Sequence, residues 1–331
     1  MPTDHSTRRG SGAYCLLMLM LLALALPLTA QDSTSEGALF LLLPSGAQGV
    51  GLGRAMTAMT SPEAAFWNPA GLASLDRGRA TVLRGEHVAG EATGFAGVHV
   101  QQGLGTFGMA YQLLDLGTFP NTDDLGNVLG STTFRNHQAI LSAARAFTEG
   151  FRAGANVKVI RFRQSCRGQC PDGGVSATSW ALDLGTQLQP LRDTPLTIGV
   201  LLAHLGPDFR IDDGDQADPL PARVRVAVAY ELIADRVEED LSLTVTFEAE
   251  DRLRHLGELS FYFGSEFVAG DADQVFLRGG YVMGDRNDVD GAAVGFGVRY
   301  ERFELGIARS LARGGPVSAS EPVHVTLGVA F

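Results

Sequence analysis

Alternation of apolar with polar or small residues recurs along this chain from about residue 80 to its last residue. In the final stretch PVHVTLGVAF, one face carries Val323, Val325, Leu327, Val329 and Phe331, and the other carries His324, Thr326, Gly328 and Ala330. The stretches SWALDLGTQL, LSLTVTFEAE and GELSFYFGSEF follow the same rule. Side chains of a β-strand point alternately to its two faces, so each stretch predicts a strand with one apolar face.

Two architectures produce such strands: a soluble β-sandwich and a transmembrane β-barrel whose apolar face meets lipid. Fourteen segments fit the pattern, an even number, and most have the nine to thirteen residues that suit a tilted crossing of a bilayer. The segments lie near 80–88, 93–101, 106–114, 135–147, 151–163, 177–189, 196–204, 222–231, 240–249, 257–268, 274–283, 292–300, 303–310 and 322–331.

The connections favour the barrel, because short turns alternate with longer polar loops, as in barrels of the outer membrane. The short turns are 103–105, 148–150, 190–195, 269–273 and 301–302, and the long loops are 115–134, 164–176, 205–221, 284–291 and 311–321. Two connections depart from the rule: 89–92 is short for an outer loop, and 232–239 is long for a turn.

The chain ends on Phe331, an aromatic residue that closes an amphipathic strand and is typical of the assembly signal of outer-membrane barrels. We therefore predict an all-β protein, a transmembrane antiparallel β-barrel of about 14 strands over 79–331, in the outer membrane of a Gram-negative-type bacterium. Outer-membrane lipid and the barrel assembly machinery are its expected partners. The net charge of −11 argues against nucleic acid as a partner.

Residues 1–30 have the pattern of a secretory signal peptide: Arg8 and Arg9, an apolar run over 15–28, and Ala30 before the expected cleavage. An uncleaved anchor is the alternative. The mature chain then keeps Cys166 and Cys170, which predict a disulfide in an exported protein. Metal binding by this pair is the other interpretation, although four ligands do not gather there.

Residues 31–78 do not alternate, and we predict that they form a hatch that plugs the barrel. Ser61, Pro62 and Glu63 mark the start of a short helix, which ends at Asn68-Pro69 because the residue before proline disfavours helical dihedrals. The proposed hatch motif is Trp67, Asn68, Pro69, Ala70 and Gly71, with Trp67 as its apolar anchor. A collar at the periplasmic mouth is the alternative.

The stretch GVGLGRAMTAMTSPEAAFWNPAGLASL resembles the N-terminal signature of the PorV/PorQ family of outer-membrane proteins, over about residues 46–75. That family is related to the FadL long-chain fatty-acid transporters. The stretch FLRGGYVMGDRNDVDGAAVGFGVRY also looks like the late hairpin of the family. The resemblance implies a fourteen-stranded barrel with an N-terminal hatch, whose motif maps to Asn68, Pro69 and Ala70.

By this resemblance we expect a secretion-associated, type IX-like component that works through contacts with secreted proteins. A FadL-like transporter of a hydrophobic ligand is the alternative, and a purely structural barrel is a third. The inward-facing carboxylates Asp183, Glu248, Glu250, Glu258 and Glu266 suggest an acidic lumen that disfavours fatty carboxylates. We expect no catalytic residues, no metal and no cofactor, and hence no enzyme.

Overall fold

A computed structural model describes residues 36–87, 90–169, 174–191, 194–210, 217–233, 240–284, 290–311 and 322–331. Within these residues the chain is almost entirely β-structure. The strands are β1 (Arg79–His87), β2 (Gly90–Gln101), β3 (Gly105–Thr122), β4 (Val128–Thr148), β5 (Phe151–Gly168), β6 (Val175–Leu188), β7 (Leu196–Leu205), β8 (Phe209–Arg210), β9 (Ala217–Asp218), β10 (Arg223–Ile233), β11 (Leu241–Arg252), β12 (His255–Ala269), β13 (Gln274–Met283), β14 (Gly291–Tyr300), β15 (Phe303–Ser310) and β16 (Val323–Ala330).

Fourteen of these strands form one closed antiparallel barrel, which confirms the predicted fold class. Each strand pairs with its neighbours in sequence, and β10 follows β7 because β8 and β9 form a separate two-stranded sheet. The barrel closes where β1 pairs with β16, from Arg79 opposite Ala330 to Gly85 opposite His324. Closure pairs the backbone groups that an open sheet edge would leave unsatisfied in lipid.

The two faces of the barrel wall have opposite character, as the alternation predicts. On β6, Trp180 is half exposed on the outer face, whereas Asp183 and Gln187 are buried inside. On β11, Phe247 is exposed, whereas Glu248 is buried. A closed barrel with an apolar outer surface and a polar interior is a transmembrane barrel of the outer-membrane type. None of the helices in the described ranges is long and apolar enough to cross a bilayer.

The predicted long loop over 115–134 is wrong. β3 continues to Thr122 and β4 starts at Val128, so a turn of only five residues joins them. Within this turn, Asp123 accepts hydrogen bonds from the backbone N–H groups of Leu125 and Asn127. β5 likewise continues to Gly168, inside the predicted loop 164–176. Polar residues allow a strand to continue where water surrounds both of its faces.

In the described residues before the barrel, from 36 to 78, there are four short helices: a 3-10 helix over Leu39–Leu42, α1 over Ala47–Gly51, and 3-10 helices over Pro62–Ala65 and Pro69–Ser74. Ser61 caps the third helix by accepting the N–H of Glu63. β1, the first strand of the barrel, begins at Arg79. The predicted signal peptide, residues 1–30, lies outside the described residues.

Candidate functional site

The hatch, defined here as residues 36–78, crosses the barrel interior and bonds to strands on several sides of the wall. Ser45 donates to the side chain of Gln112 on β3 at 3.1 Å. The backbone N–H of Ala47 donates to Thr326 on β16 at 2.8 Å. The wall therefore surrounds this segment, and its backbone polar groups find partners there instead of water.

Glu248 on β11 is a main attachment point of the hatch. Its two carboxylate oxygens accept the backbone N–H of Thr57 at 2.9 Å and the Thr57 hydroxyl at 2.8 Å. On the other side of the same hatch turn, the Gln187 amide donates to the carbonyl oxygens of Thr57 and Met59 at 3.2 and 3.0 Å. The bonds to the Glu248 carboxylate are charge-assisted and therefore stronger than neutral ones. Together with the Gln187 bonds, they fix this turn to β11 and β6.

Asn68 has no exposed surface, and its side chain satisfies three backbone groups. Its amide nitrogen donates to the carbonyl oxygens of Thr57 at 2.7 Å and Thr186 at 3.3 Å. Its amide oxygen accepts the N–H of Ala70 at 3.1 Å, which caps the helix that starts at Pro69. Asn68 thus joins two parts of the hatch to β6.

Trp67 is buried beside Asn68, and its indole N–H donates to the carbonyl oxygen of Ser45 at 3.0 Å. The Arg225 guanidinium of β10 lies 5.5 Å from the centre of the Trp67 ring. A Cβ added to Gly49 would come within 2.4 Å of the ring, so α1 can pack on Trp67 only because residue 49 is glycine.

Two glycines of the barrel wall leave the space that the hatch motif occupies, and the sequence alone did not distinguish them. A Cβ at Gly154 on β5 would lie 2.6 Å from the carbonyl carbon of Pro69. A Cβ at Gly185 on β6 would lie 1.8 Å from the amide oxygen of Asn68. A Cβ at Gly71, in the hatch itself, would lie 2.6 Å from the Met59 carbonyl oxygen.

The expectation of an acidic lumen is wrong, because each of its five carboxylates has a cationic partner. Glu248 and Glu250 both bind Arg225, at 2.6 and 2.9 Å. The remaining pairs are Asp183 with Lys158 at 2.7 Å, Glu258 with Arg252 at 3.1 Å and Glu266 with Arg278 at 2.5 Å. The cations lie on adjacent strands, so their pairing depends on strand register.

A cavity of about 460 Å³ lies on one side of the hatch, towards the end of the barrel that is remote from Arg79 and Phe331. We call it the far cavity. The hatch lines it mostly with the apolar side chains of Leu39, Leu41, Leu42, Leu43, Phe66 and Trp67, together with Glu36, Ser45 and Arg54. The wall contributes Leu201, Ala203, Tyr262 and the paired charges, including Lys158, Arg223 and Arg225.

A second cavity of about 360 Å³, the near cavity, opens at the other end of the barrel, where β1 begins and β16 ends. Its lining is polar, with Glu63 from the hatch and Arg79, Arg299 and Glu304 from the wall. Glu63 accepts the Thr326 hydroxyl at 2.8 Å and the N–H of Gly49 at 3.2 Å. The hatch therefore stands between an amphipathic chamber and a polar mouth.

The other predicted residues lie away from the cavities. Phe331 is exposed at the near end, where its backbone N–H donates to the Gly78 carbonyl oxygen at 2.9 Å. Its role in assembly stays a prediction. Cys166 lies near the end of β5 and is disulfide-bonded. Cys170 lies outside the described residues, so its pairing with Cys166 also stays a prediction. No cluster of three or more metal-ligating side chains occurs in the described part of the chain.

Neither the family models nor the curated proteins compared with the chain give a match. Solved structures do. The chain superposes on a Pseudomonas aeruginosa FadL homologue with a TM-score of 0.58 at 12% identity, covering 87% of this chain and 98% of that one. The P. putida toluene transporter TodX gives a TM-score of 0.56 at 12% identity, covering 86% and 98%.

The CymD monoaromatic hydrocarbon channel gives a TM-score of 0.56 at 10% identity, with 89% of this chain and 98% of that chain covered. At such identities the likeness concerns the fold alone. The structural neighbours of this chain are FadL-type barrels of fourteen strands. The comparisons give no support to the narrower resemblance to PorV/PorQ.

Proposed function

We propose that this protein is an outer-membrane channel that admits small hydrophobic molecules, with the far cavity as its binding chamber and the hatch as its gate. The observation that carries the proposal is the far cavity itself, in which six apolar hatch side chains face a wall whose cations Lys158, Arg223 and Arg225 are paired with carboxylates. Its volume of about 460 Å³ falls in the range of small-molecule sites, about 300–1,000 Å³.

The charge pairing bears on the choice of ligand. Arg225 is bonded to Glu248 and Glu250, and Lys158 is bonded to Asp183. A ligand without charge leaves these pairs intact, whereas an ionised ligand must compete with them. The names of two structural neighbours, a toluene transporter and a monoaromatic hydrocarbon channel, agree with an uncharged aromatic ligand.

Passage requires movement of the hatch, since the far and near cavities lie on opposite sides of it. Trp67 faces the far cavity and Glu63 faces the near cavity. Both belong to the stretch from Ser61 to Gly71, which is fixed to the wall by hydrogen bonds and close packing. A shift of this stretch would join the two cavities.

The two tryptophans of the chain allow a direct test of ligand binding. Trp67 lines the far cavity, whereas Trp180 is half exposed on the lipid face. In detergent, bromobenzene, a heavy-atom quencher, should quench Trp67 saturably in the Trp180→Phe variant. In the matched Trp67→Phe variant, Trp180 should show only linear quenching by dissolved bromobenzene. Linear quenching in both variants would reject the binding chamber.

The N-terminal resemblance to PorV/PorQ supports a second reading, in which the barrel works in type IX-like secretion through protein contacts. Secreted proteins would then be its partners. Purification from native membranes after chemical cross-linking separates the readings, because exported proteins joined to the barrel would favour secretion. Their absence, together with saturable quenching of Trp67, would favour transport.

A further inference from the structure

A trough of about 500 Å³ crosses the lipid-facing surface of the barrel over strands β10 to β13. Its floor is formed by Ser265 and Gly279, which lie directly opposite each other in the β12–β13 pairing. Its sides are formed by larger side chains, among them Tyr230, Phe247, Phe263 and Tyr281.

The trough exists because two small residues meet where the surrounding outer face carries large ones. A Cβ added to Gly279 would have only the Ser265 hydroxyl within 4 Å, at 3.5 Å, so the space above the glycine is open. The Ser265 hydroxyl donates to the Gly279 carbonyl oxygen at 3.4 Å. The floor therefore satisfies its own polar group and does not call for water.

Among the described residues, no charged side chain lines the trough. Exposed apolar residues of the same strands, such as Val275 and Leu277 on β13, lie on the same outer face of the barrel. Apolar walls gain dispersion contacts only if atoms fill the space between them. We propose that the trough is a binding site for one acyl chain of a membrane phospholipid.

The inner face of the same wall supports the hatch. A Cβ at Gly264 would lie 2.7 Å from the Leu52 carbonyl oxygen, and one at Gly280 would lie 2.1 Å from the Gly53 nitrogen. At this point only the backbone of β12 and β13 separates the hatch from the trough. An acyl chain in the trough thus packs against the outside of the wall segment on which Leu52 and Gly53 rest.

The test uses the full mature protein in nanodiscs that contain phosphatidylcholine with a photoactivatable diazirine on one acyl chain. After illumination, mass spectrometry should find severalfold more lipid adducts on residues 263–265 and 279–281 than on the outward face of β2 and β3. The variant Gly279→Leu fills the trough and should remove this enrichment. Ser265→Leu fills the trough from the neighbouring strand and provides the same test if Gly279→Leu does not fold.

Gly97→Leu is the matched control, because Gly97 lies beside the exposed Met109 and a Cβ there meets only its side chain, at 3.9 Å. This variant should keep the enrichment of adducts at the trough. Uniform labelling of the outer face would overturn the proposal, as would enrichment that survives both filling variants. Cross-links between two copies at the trough would overturn it as well, since a second copy would then be the occupant.

Discussion

Gly185 on β6 lies directly against Asn68 of the hatch, so close that a methyl group on Gly185 would come within 1.8 Å of the Asn68 amide oxygen. The absence of a side chain at residue 185 lets Asn68 reach the Thr186 carbonyl oxygen with its amide nitrogen. This contact is where the hatch motif is fitted to the barrel wall.

We therefore expect Gly185→Ala to displace the hatch while the barrel still closes. Overpacking of a close contact costs about 1–3 kcal/mol. Protease sensitivity of residues 36–78 in detergent-solubilised barrels measures the effect. Gly97→Ala is the control, since a Cβ at Gly97 meets nothing nearer than 3.9 Å. Equal protection of the hatch in both variants would show that the Gly185 contact is dispensable.

The strands could be predicted from the sequence because lipid and lumen impose different residues on their two faces. That contrast ends where β3 and β4 leave the bilayer, so residues such as Thr118 and Asn121 give no period-two signal and looked like loop. Hydrogen bonding between the two strands nevertheless continues, with Thr118 opposite Thr133.

Trp67, Asn68 and the residues that follow stand out in the sequence as a candidate hatch motif, but the wall residues that contact them do not. Gly154 and Gly185 resemble many other glycines of a Gly-rich chain, and only the tertiary contact distinguishes them. Likewise Lys158 faces Asp183 because of the β5–β6 register, in which Asn156 lies opposite Asp183. Sequence alternation gives the face of a charged residue but does not give its partner.

Asp183→Asn should destabilise the barrel, because it leaves the Lys158 ammonium buried without its carboxylate. Lys158 and Asp183 side chains are 1% and 0% exposed. Breaking a buried pair by removing one partner costs about 3–5 kcal/mol. The matched control is Asp115→Asn, whose partner Arg135 is 51% exposed and for which about 0–1 kcal/mol is expected. Urea unfolding from lipid bilayers, followed by tryptophan fluorescence, measures both; equal losses would contradict the prediction.

The turn at Asp123 should lose stability in acid. The Asn127 side-chain amide, followed by the Asn127 backbone N–H, lowers the pKa of Asp123 below its ordinary value. Because its pKa is lower in the folded state, the ionised Asp123 stabilises the turn at pH values above the pKa of the unfolded chain. This contribution is lost as the pH falls through the pKa of the folded state. The protection of the Asn127 amide, which is its exchange rate relative to the intrinsic rate at the same pH, should fall over this acid range. In Asp123→Asn the protection should be lower at neutral pH and lack this acid step.

Cys166 and Cys170 should be accessible from outside the cell, because the strand count places the end of β5, which carries Cys166, on the outer side. A membrane-impermeant maleimide should label intact cells only after reduction, since the disulfide protects both thiols beforehand. The double variant Cys166→Ser, Cys170→Ser gives the background. Labelling that requires cell lysis would reverse the assigned topology.

The motif residues Trp67 and Asn68 should hold the gate shut. Replacing both with alanine removes the indole bond to the Ser45 carbonyl oxygen and the Asn68 amide oxygen that accepts the Ala70 N–H. Each buried group left without a partner costs about 1–3 kcal/mol, so the hatch should loosen while the fourteen strands stay paired. Planar-bilayer recordings should then show higher conductance than wild type, and Trp180→Ala on the lipid face should not. If this stretch were only a collar, the double variant would fold and conduct like wild type, and gating by the hatch would be refuted.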